Sequence, residues 1–219
     1  MRGDGPETLM ARASLSPRAW QRMLSGRRLD LLDPSPFDIE IADIAHGLAR
    51  VARWNGQTKG SQIFSVAQHS LLVEAFVRHL VPVMSPVGLM AALLHDAPEY
   101  VVGDMISPFK AVIGNDYKAI EERILRAVHL RFGIPNPSSQ AVRKQIKLAD
   151  KASAAVEAVQ LAGFEIAEAE KIFGRAPPLP GLAALVAPQS NEAAQAGFLK
   201  RFHALEQAMA WGEPATGPQ

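Results

Sequence analysis

The residues best suited to chemistry are concentrated in Leu94-His95-Asp96-Ala97-Pro98-Glu99. An apolar run from Val87 to Leu94, broken by one glycine, ends abruptly in His95-Asp96, and Glu99 follows three residues after the aspartate. On a helix, His95 and Glu99 are four apart and Asp96 and Glu99 three apart, which lays Glu99 over both on one side. A carboxylate buried beside an imidazole is costly unless something compensates. A divalent cation does so, and neutral imidazole with carboxylate suits Zn, Mn, Fe or Co. The chain has no cysteine, so disulfides and thiolate metal sites are excluded.

Helices must position these groups. Ile41, Ile44, Ala45 and Leu48 recur at helical spacing and predict a helix over 39–51, whose His46 reads as packed or solvent-facing. Residues 52–60 form a loop with Arg53 and Trp54 at its entrance. The pair is either a surface charge and a core cap, or an anion fork beside a flat apolar plate. Ser65 is placed to cap the next helix, with Gln68 completing a capping box. Val66, Val73, Phe76, Val77 and Leu80 mark its buried stripe, and His69 falls within that stripe. Ser85-Pro86 opens a third helix that carries the central stretch and runs to about 103.

Residues 103–110 read as a loop, with Asp104 and Lys110 as turn-forming or solvated groups. A long amphipathic helix is expected over 116–132, with His129 structural. The helix over 139–164 sets Val142, Ile146 and Asp150 at successive four-residue steps. An aspartate on an apolar face beside Ala149, Ala152 and Ala154 is a salt-bridge partner, a buried hydrogen-bonded acid or a metal ligand. Residues 174–188 read as a Gly/Pro-rich loop with at most a brief helical turn, 191–211 as a last amphipathic helix burying Phe198, Phe202 and Leu205, and 213–219 as a frayed tail. Upstream, 1–26 reads as a loose extension with one short helix, and 27–32 as a short extended piece.

With 23 basic and 22 acidic residues among 219, the formal charge is +1, too small a field for bulk binding to polymeric nucleic acid or a membrane surface. The longest apolar run, near 87–94, is too short to span a bilayer, and the first residues are polar and broken by Gly and Pro. The expectation is a cytoplasmic, all-α, single-domain protein.

His69 on one helix, His95-Asp96 on the next and Asp150 on a later one make an H…HD…D order that resembles the HD-domain metal-dependent phosphohydrolases. The likeness extends to Ser65-Val66-Ala67-Gln68-His69-Ser70, Gly103-Asp104, Ser107-Pro108-Phe109-Lys110 and Tyr117-Lys118-Ala119-Ile120-Glu121, which are similar to segments of the bacterial HD 5′-deoxynucleotidases. It implies a helical HD bundle over 37–165, preceded by an extension (1–36) and followed by a C-terminal loop and helix (166–219) packed on that core.

The resemblance also implies one divalent metal (Co, Mn, Zn, Fe or Mg) on His69, His95, Asp96 and Asp150, with Glu99 orienting or deprotonating the attacking water and Asp104 helping to position it. Arg53, Lys110 and Lys118 would hold phosphate, and Trp54 would pack by the sugar. The expected activity is 5′-(deoxy)nucleoside monophosphate dephosphorylation by a homodimer. Gln68 stands where the deoxynucleotidase pattern has glutamate, and the gap from Asp96 to Asp150 is shorter. Both departures bring the chain nearer to relatives that hydrolyse deoxynucleoside triphosphates, which is the alternative activity. A nucleotide-sensing module with little turnover is another alternative. Cyclic-nucleotide phosphodiesterase activity is disfavoured, because no additional histidine is suitably placed for a second metal.

Overall fold

Side-chain caps start the helices that matter most. The computed structural model describes residues 18–113 and 115–211, so part of the expected extension and the expected 213–219 tail lie outside the described residues. A small antiparallel hairpin comes first, β1 (Trp20–Arg22) and β2 (Arg28–Asp30), with Gln21 opposite Leu29. The extended piece expected at 27–32 is therefore one arm of a hairpin, and its partner lies in what reads from sequence as loose extension. The hairpin is anchored: Leu29 is fully buried, and Ser25 donates its N–H and hydroxyl to the Asp43 carboxylate.

A short 3-10 turn (Pro36–Asp38) leads into α1 (Ile41–Leu48). A second 3-10 segment, Arg53–Gly56, occupies the expected 52–60 loop. The next helix, α2 (Val66–Leu80), is capped by Ser65, whose hydroxyl accepts from the Gln68 N–H. The expected capping box is only half made. The Gln68 side chain turns away, donating to the Ala187 carbonyl (2.8 Å) and accepting from the Gln189 N–H (3.3 Å). Along α2 the buried face is as expected except for Leu80, which at the helix end is 40% exposed.

Ser85 caps α3 (Pro86–Leu93) with Pro86 in its first turn. The helix expected to run to 103 breaks here. Pro98 has no N–H to return to the Leu94 carbonyl, and Ala97 N–H takes it instead at 3.0 Å. Glu99 and Tyr100 likewise bond three residues back, to Asp96 and Ala97. Helix α4 (Glu99–Val102) then begins and packs on α1. A Cβ at Gly47 of α1 would fall 2.8 Å from the Tyr100 Cβ, so glycine is what allows this approach.

The expected 103–110 loop contains α5 (Ser107–Ile113), with proline again at a helix start. It is followed by α6 (Asn115–Arg131). Ser139 caps α7 (Gln140–Gln160). Two short helices follow, α8 (Ile166–Phe173) and α9 (Leu182–Val186), and α10 (Asn191–Trp211) closes the described chain with the expected bounds. The protein is all-α apart from the hairpin, with ten α-helices among the described residues.

Helix α2 is the axle, packing against α3, α7 and α10. Phe76, Leu89, Leu93, Phe198 and Phe202 are among the side chains fully removed from water around it, each contributing roughly 1.5–3 kcal/mol. Phe202 meets Phe132 edge-on at 4.9 Å, tying α10 to the end of α6. No described helix is long and apolar enough to cross a membrane.

Candidate metal centre

Three elements meet where α2, the α3–α4 break and α7 come together. His69, in the first turn of α2, is fully buried. His95 and Asp96 sit in the turn that ends α3, and Asp150 lies midway along α7 with its side chain 42% exposed. One ligand atom each from His69, His95 and Asp150 lie within 4.8 Å of one another. Asp96 Oδ2 is 3.1 Å from His95 Nε2 and 3.5 Å from His69 Nε2, and Asp150 Oδ1 is 3.3 Å from His69 Nε2.

Both imidazoles are oriented from behind. His69 Nδ1 is 2.5 Å from Glu157 Oε1, and His95 Nδ1 is 2.9 Å from the Ala92 carbonyl oxygen. With the proton on Nδ1 in each ring, the two Nε2 lone pairs face the carboxylates of Asp96 and Asp150. Neither buried Nε2 has a hydrogen-bond partner. Two orphaned imidazole nitrogens facing two carboxylates are a donor set that fits a divalent cation, and a second-sphere acceptor behind each histidine is the usual companion of such a set.

The electrostatics carry the same message. Burial pushes the Asp96 carboxyl up in pKa, but His95 and His69 outweigh it and hold it well below the usual range. Despite partial desolvation, Asp150 is lowered by its contact with His69, and despite burial Glu157 is lowered by His69 and Arg53. Burial and Arg53 pull the His69 imidazole down, yet Glu157, Asp150 and Asp96 more than reverse this and raise it well above its ordinary value. Without a cation, a proton on His69 is the group that balances these acids.

Glu99 leads a second wall. It is buried, its Oε2 has no partner, and Oε1 lies 3.6 Å from Lys110 Nζ. Burial, reinforced by Asp96 and Asp104, pushes its pKa up to about 9. Lys110 also reaches Glu121 at 3.1 Å and lies over the Tyr117 ring, whose hydroxyl donates to the Gly103 carbonyl (3.2 Å). Gly103 takes φ +78° as it ends α4.

Arg53 is no free fork. Its Nη1 donates to Asp104 Oδ2 at 2.9 Å and its Nε to Glu157 Oε2 at 3.4 Å, and these acids keep it charged against its burial. Trp54 donates Nε1–H to Glu157 Oε2 at 2.9 Å and packs its ring against Phe164 and Phe173. Trp54 (φ 57°) and Asn55 (φ 50°) are left-handed, a conformation that costs non-glycine residues roughly 1–2 kcal/mol each.

Of the residues singled out from sequence, His69, His95, Asp96 and Asp150 converge. Asp104 and Lys110 are joined to this group through Arg53 and Glu99, and Trp54 through Glu157. Lys118 does not join it: its side chain is 71% exposed and pairs with Glu122 on the wet face of α6. Glu157, Tyr117 and Glu121 take part without having been singled out as site residues. Glu157 carried a usable signal, standing seven residues after Asp150 on the same helical face among buried small residues.

No family model matches the chain. It is 56% identical over 190 residues to the uncharacterized protein RCAP_rcc00048 of Rhodobacter capsulatus, an alignment covering 86% of this chain and 96% of that protein. Over 106 residues it is 36% identical to the uncharacterized protein YfdR of Escherichia coli K12, covering 48% of this chain and 54% of YfdR.

Proposed function

We propose that this chain, which belongs to the same family as the Rhodobacter capsulatus protein, is a metal-dependent phosphohydrolase of the HD type acting on (deoxy)nucleotides. One observation carries the reading: two buried imidazole Nε2 atoms without partners face the carboxylates of Asp96 and Asp150. His69, His95, Asp96 and Asp150 would hold one divalent cation, which when bound acidifies a water and polarises a phosphoryl group.

The remaining steps belong to the protein. Glu99 has an unpaired oxygen, and with a cation's charge beside it to lower its raised pKa it would orient the attacking water and take its proton. Asp104, fixed by Arg53, shapes the space beside it. Arg53, largely buried, and Lys110, partly exposed, would present positive charge for a phosphate. Both cations are already paired with carboxylates, which favours a substrate of low charge, a nucleoside monophosphate before a triphosphate. Gln68, the departure from the deoxynucleotidase pattern, is engaged with the 187–189 main chain, so its identity bears little on phosphate number.

The test is a nucleotide panel with product identification under Co, Mn, Zn, Fe and Mg. The expected result is inorganic phosphate from 5′-monophosphates, abolished by chelation. Triphosphate as product would move the assignment to triphosphohydrolase, and nucleotide affinity without turnover would make the protein a sensor. If no nucleotide yields phosphate, pyrophosphate or triphosphate under any metal, the proposal fails. The reading includes a cytoplasmic homodimer, the dimer to be checked by analytical ultracentrifugation.

A further inference from the structure

We infer that Glu157 is a positioning residue that couples the metal centre to the Arg53–Trp54 turn, so that cation binding and the conformation of that turn favour each other. The inference rests on the metal reading of the cluster and is independent of the substrate.

Glu157 lies on α7, fully buried, with both oxygens engaged in different directions. Oε1 meets His69 Nδ1 at 2.5 Å. Oε2 accepts from Trp54 Nε1 at 2.9 Å and from Arg53 Nε at 3.4 Å. One carboxylate therefore joins three elements: α2, the 3-10 segment and α7. On the His69 side it keeps the proton on Nδ1 and leaves the Nε2 lone pair for a cation. On the other side it holds a turn that is strained at Trp54 and Asn55, whose indole is braced by Phe164 and Phe173.

Neither side can let go alone. If the turn opened, Glu157 would lose two of its donors and remain a buried anion with less compensation. With the donors on Oε2 gone, nothing would fix the plane of the carboxylate, and Oε1 would no longer hold the His69 ring from behind. His69 Nε2 would then lose its aim at the Asp96 and Asp150 carboxylates. The reverse follows by thermodynamic reciprocity: a cation on Nε2 fixes the His69 ring, whose Nδ1 then holds Glu157 in the orientation that engages the turn. Metal loading would thus pre-set Arg53, the residue proposed to meet phosphate.

The experiment is Zn(II) titration by calorimetry of wild type, Glu157→Gln, Trp54→Phe and the double variant, with thermal melting of each and 15N NMR of the His69 ring. Gln keeps the shape of Glu157, but its single acceptor oxygen cannot serve both sides. Glu157→Gln should weaken Zn(II) binding about 10–100-fold and lose the fixed Nδ1-protonated signal. Trp54→Phe keeps the ring and removes only the indole donor. Although Trp54 makes no contact with the ligand atoms of the cluster, the variant should weaken Zn(II) binding by roughly fivefold or more. In the double variant it should add no further loss.

Wild-type-like Zn(II) binding by Glu157→Gln overturns the inference. So does a Trp54→Phe loss that persists undiminished in the double variant. If Glu157→Gln fails to fold, Trp54→Phe decides alone, and Zn(II) affinity within about twofold of wild type overturns the coupling. Wild-type protein that takes up none of Zn, Mn or Co overturns the metal reading and this inference together.

Discussion

Glu99 and Glu157 are the same residue type, nearly equally buried at 3% and 0% exposure, on opposite walls of one cluster, yet they are driven in opposite directions. Glu157 is held ionised because, despite its burial, His69 and Arg53 offer positive charge and Trp54 a hydrogen bond. Glu99 is pushed to about 9 because burial is joined by the negative charges of Asp96 and Asp104, with Arg53 and Lys110 compensating only in part. Burial alone does not assign a role to a carboxylate; the donors around it do. On the α2–α7 wall both Glu157 oxygens are engaged, which suits it to holding. The α4 wall keeps an unpaired oxygen and is suited to exchanging a proton.

The largest effect should come from Asp96→Ala, which removes the carboxylate facing both imidazoles. Metal uptake and turnover should both vanish, and retained metal binding would detach Asp96 from the holding wall. Glu99→Gln should separate the walls. Metal affinity should stay near wild type while turnover falls by about 10²–10⁴. A parallel loss of metal would erase the distinction between them.

The same variant has a signature in the chelated protein. A folded pKa raised to about 9 from the ordinary 4.5 means that the folded state binds the Glu99 proton more tightly than the unfolded chain does. The stability this gives is complete below the unfolded value and is lost as pH rises towards 9. Denaturant unfolding at pH 5–9 should show a wild-type decline steeper than that of Glu99→Gln, by up to ~1.4 kcal/mol per pH unit. Identical slopes would mean that Glu99 is ionised throughout. The smallest effect belongs to Lys118→Ala: with its side chain exposed and paired only with Glu122, stability should stay within about 0.5 kcal/mol and turnover unchanged. A large loss of turnover would extend the candidate site to α6.

The four converging residues were legible because their types are chemically uncommon among apolar neighbours; the helical period places His69 and Asp150, whereas His95 and Asp96 lie in the turn that ends α3. Pro98 is legible too, but the apolar, helix-like pattern around it hides the break it imposes, where the bonds shorten to three-residue spacing. Helices α5 and α8 were hidden because each is only seven or eight residues long, too short for a period to stand out. Gln68 looked like half of a capping box, a local reading overruled by a partner 119 residues away. Glu157 resembled one more helix charge. Its place seven residues after Asp150 marks it as facing the cluster, but its donors stand 88, 103 and 104 residues away, and no local pattern names them.

The acceptors behind the two histidines differ in how they are inherited. His69 leans on a side chain, so a single codon change at position 157 can release it. His95 leans on the carbonyl of Ala92, an atom that every amino acid brings to the chain. Drift at position 92 can alter packing but cannot delete that oxygen. One half of the centre is therefore open to evolutionary retuning, and the other is written into the peptide backbone itself.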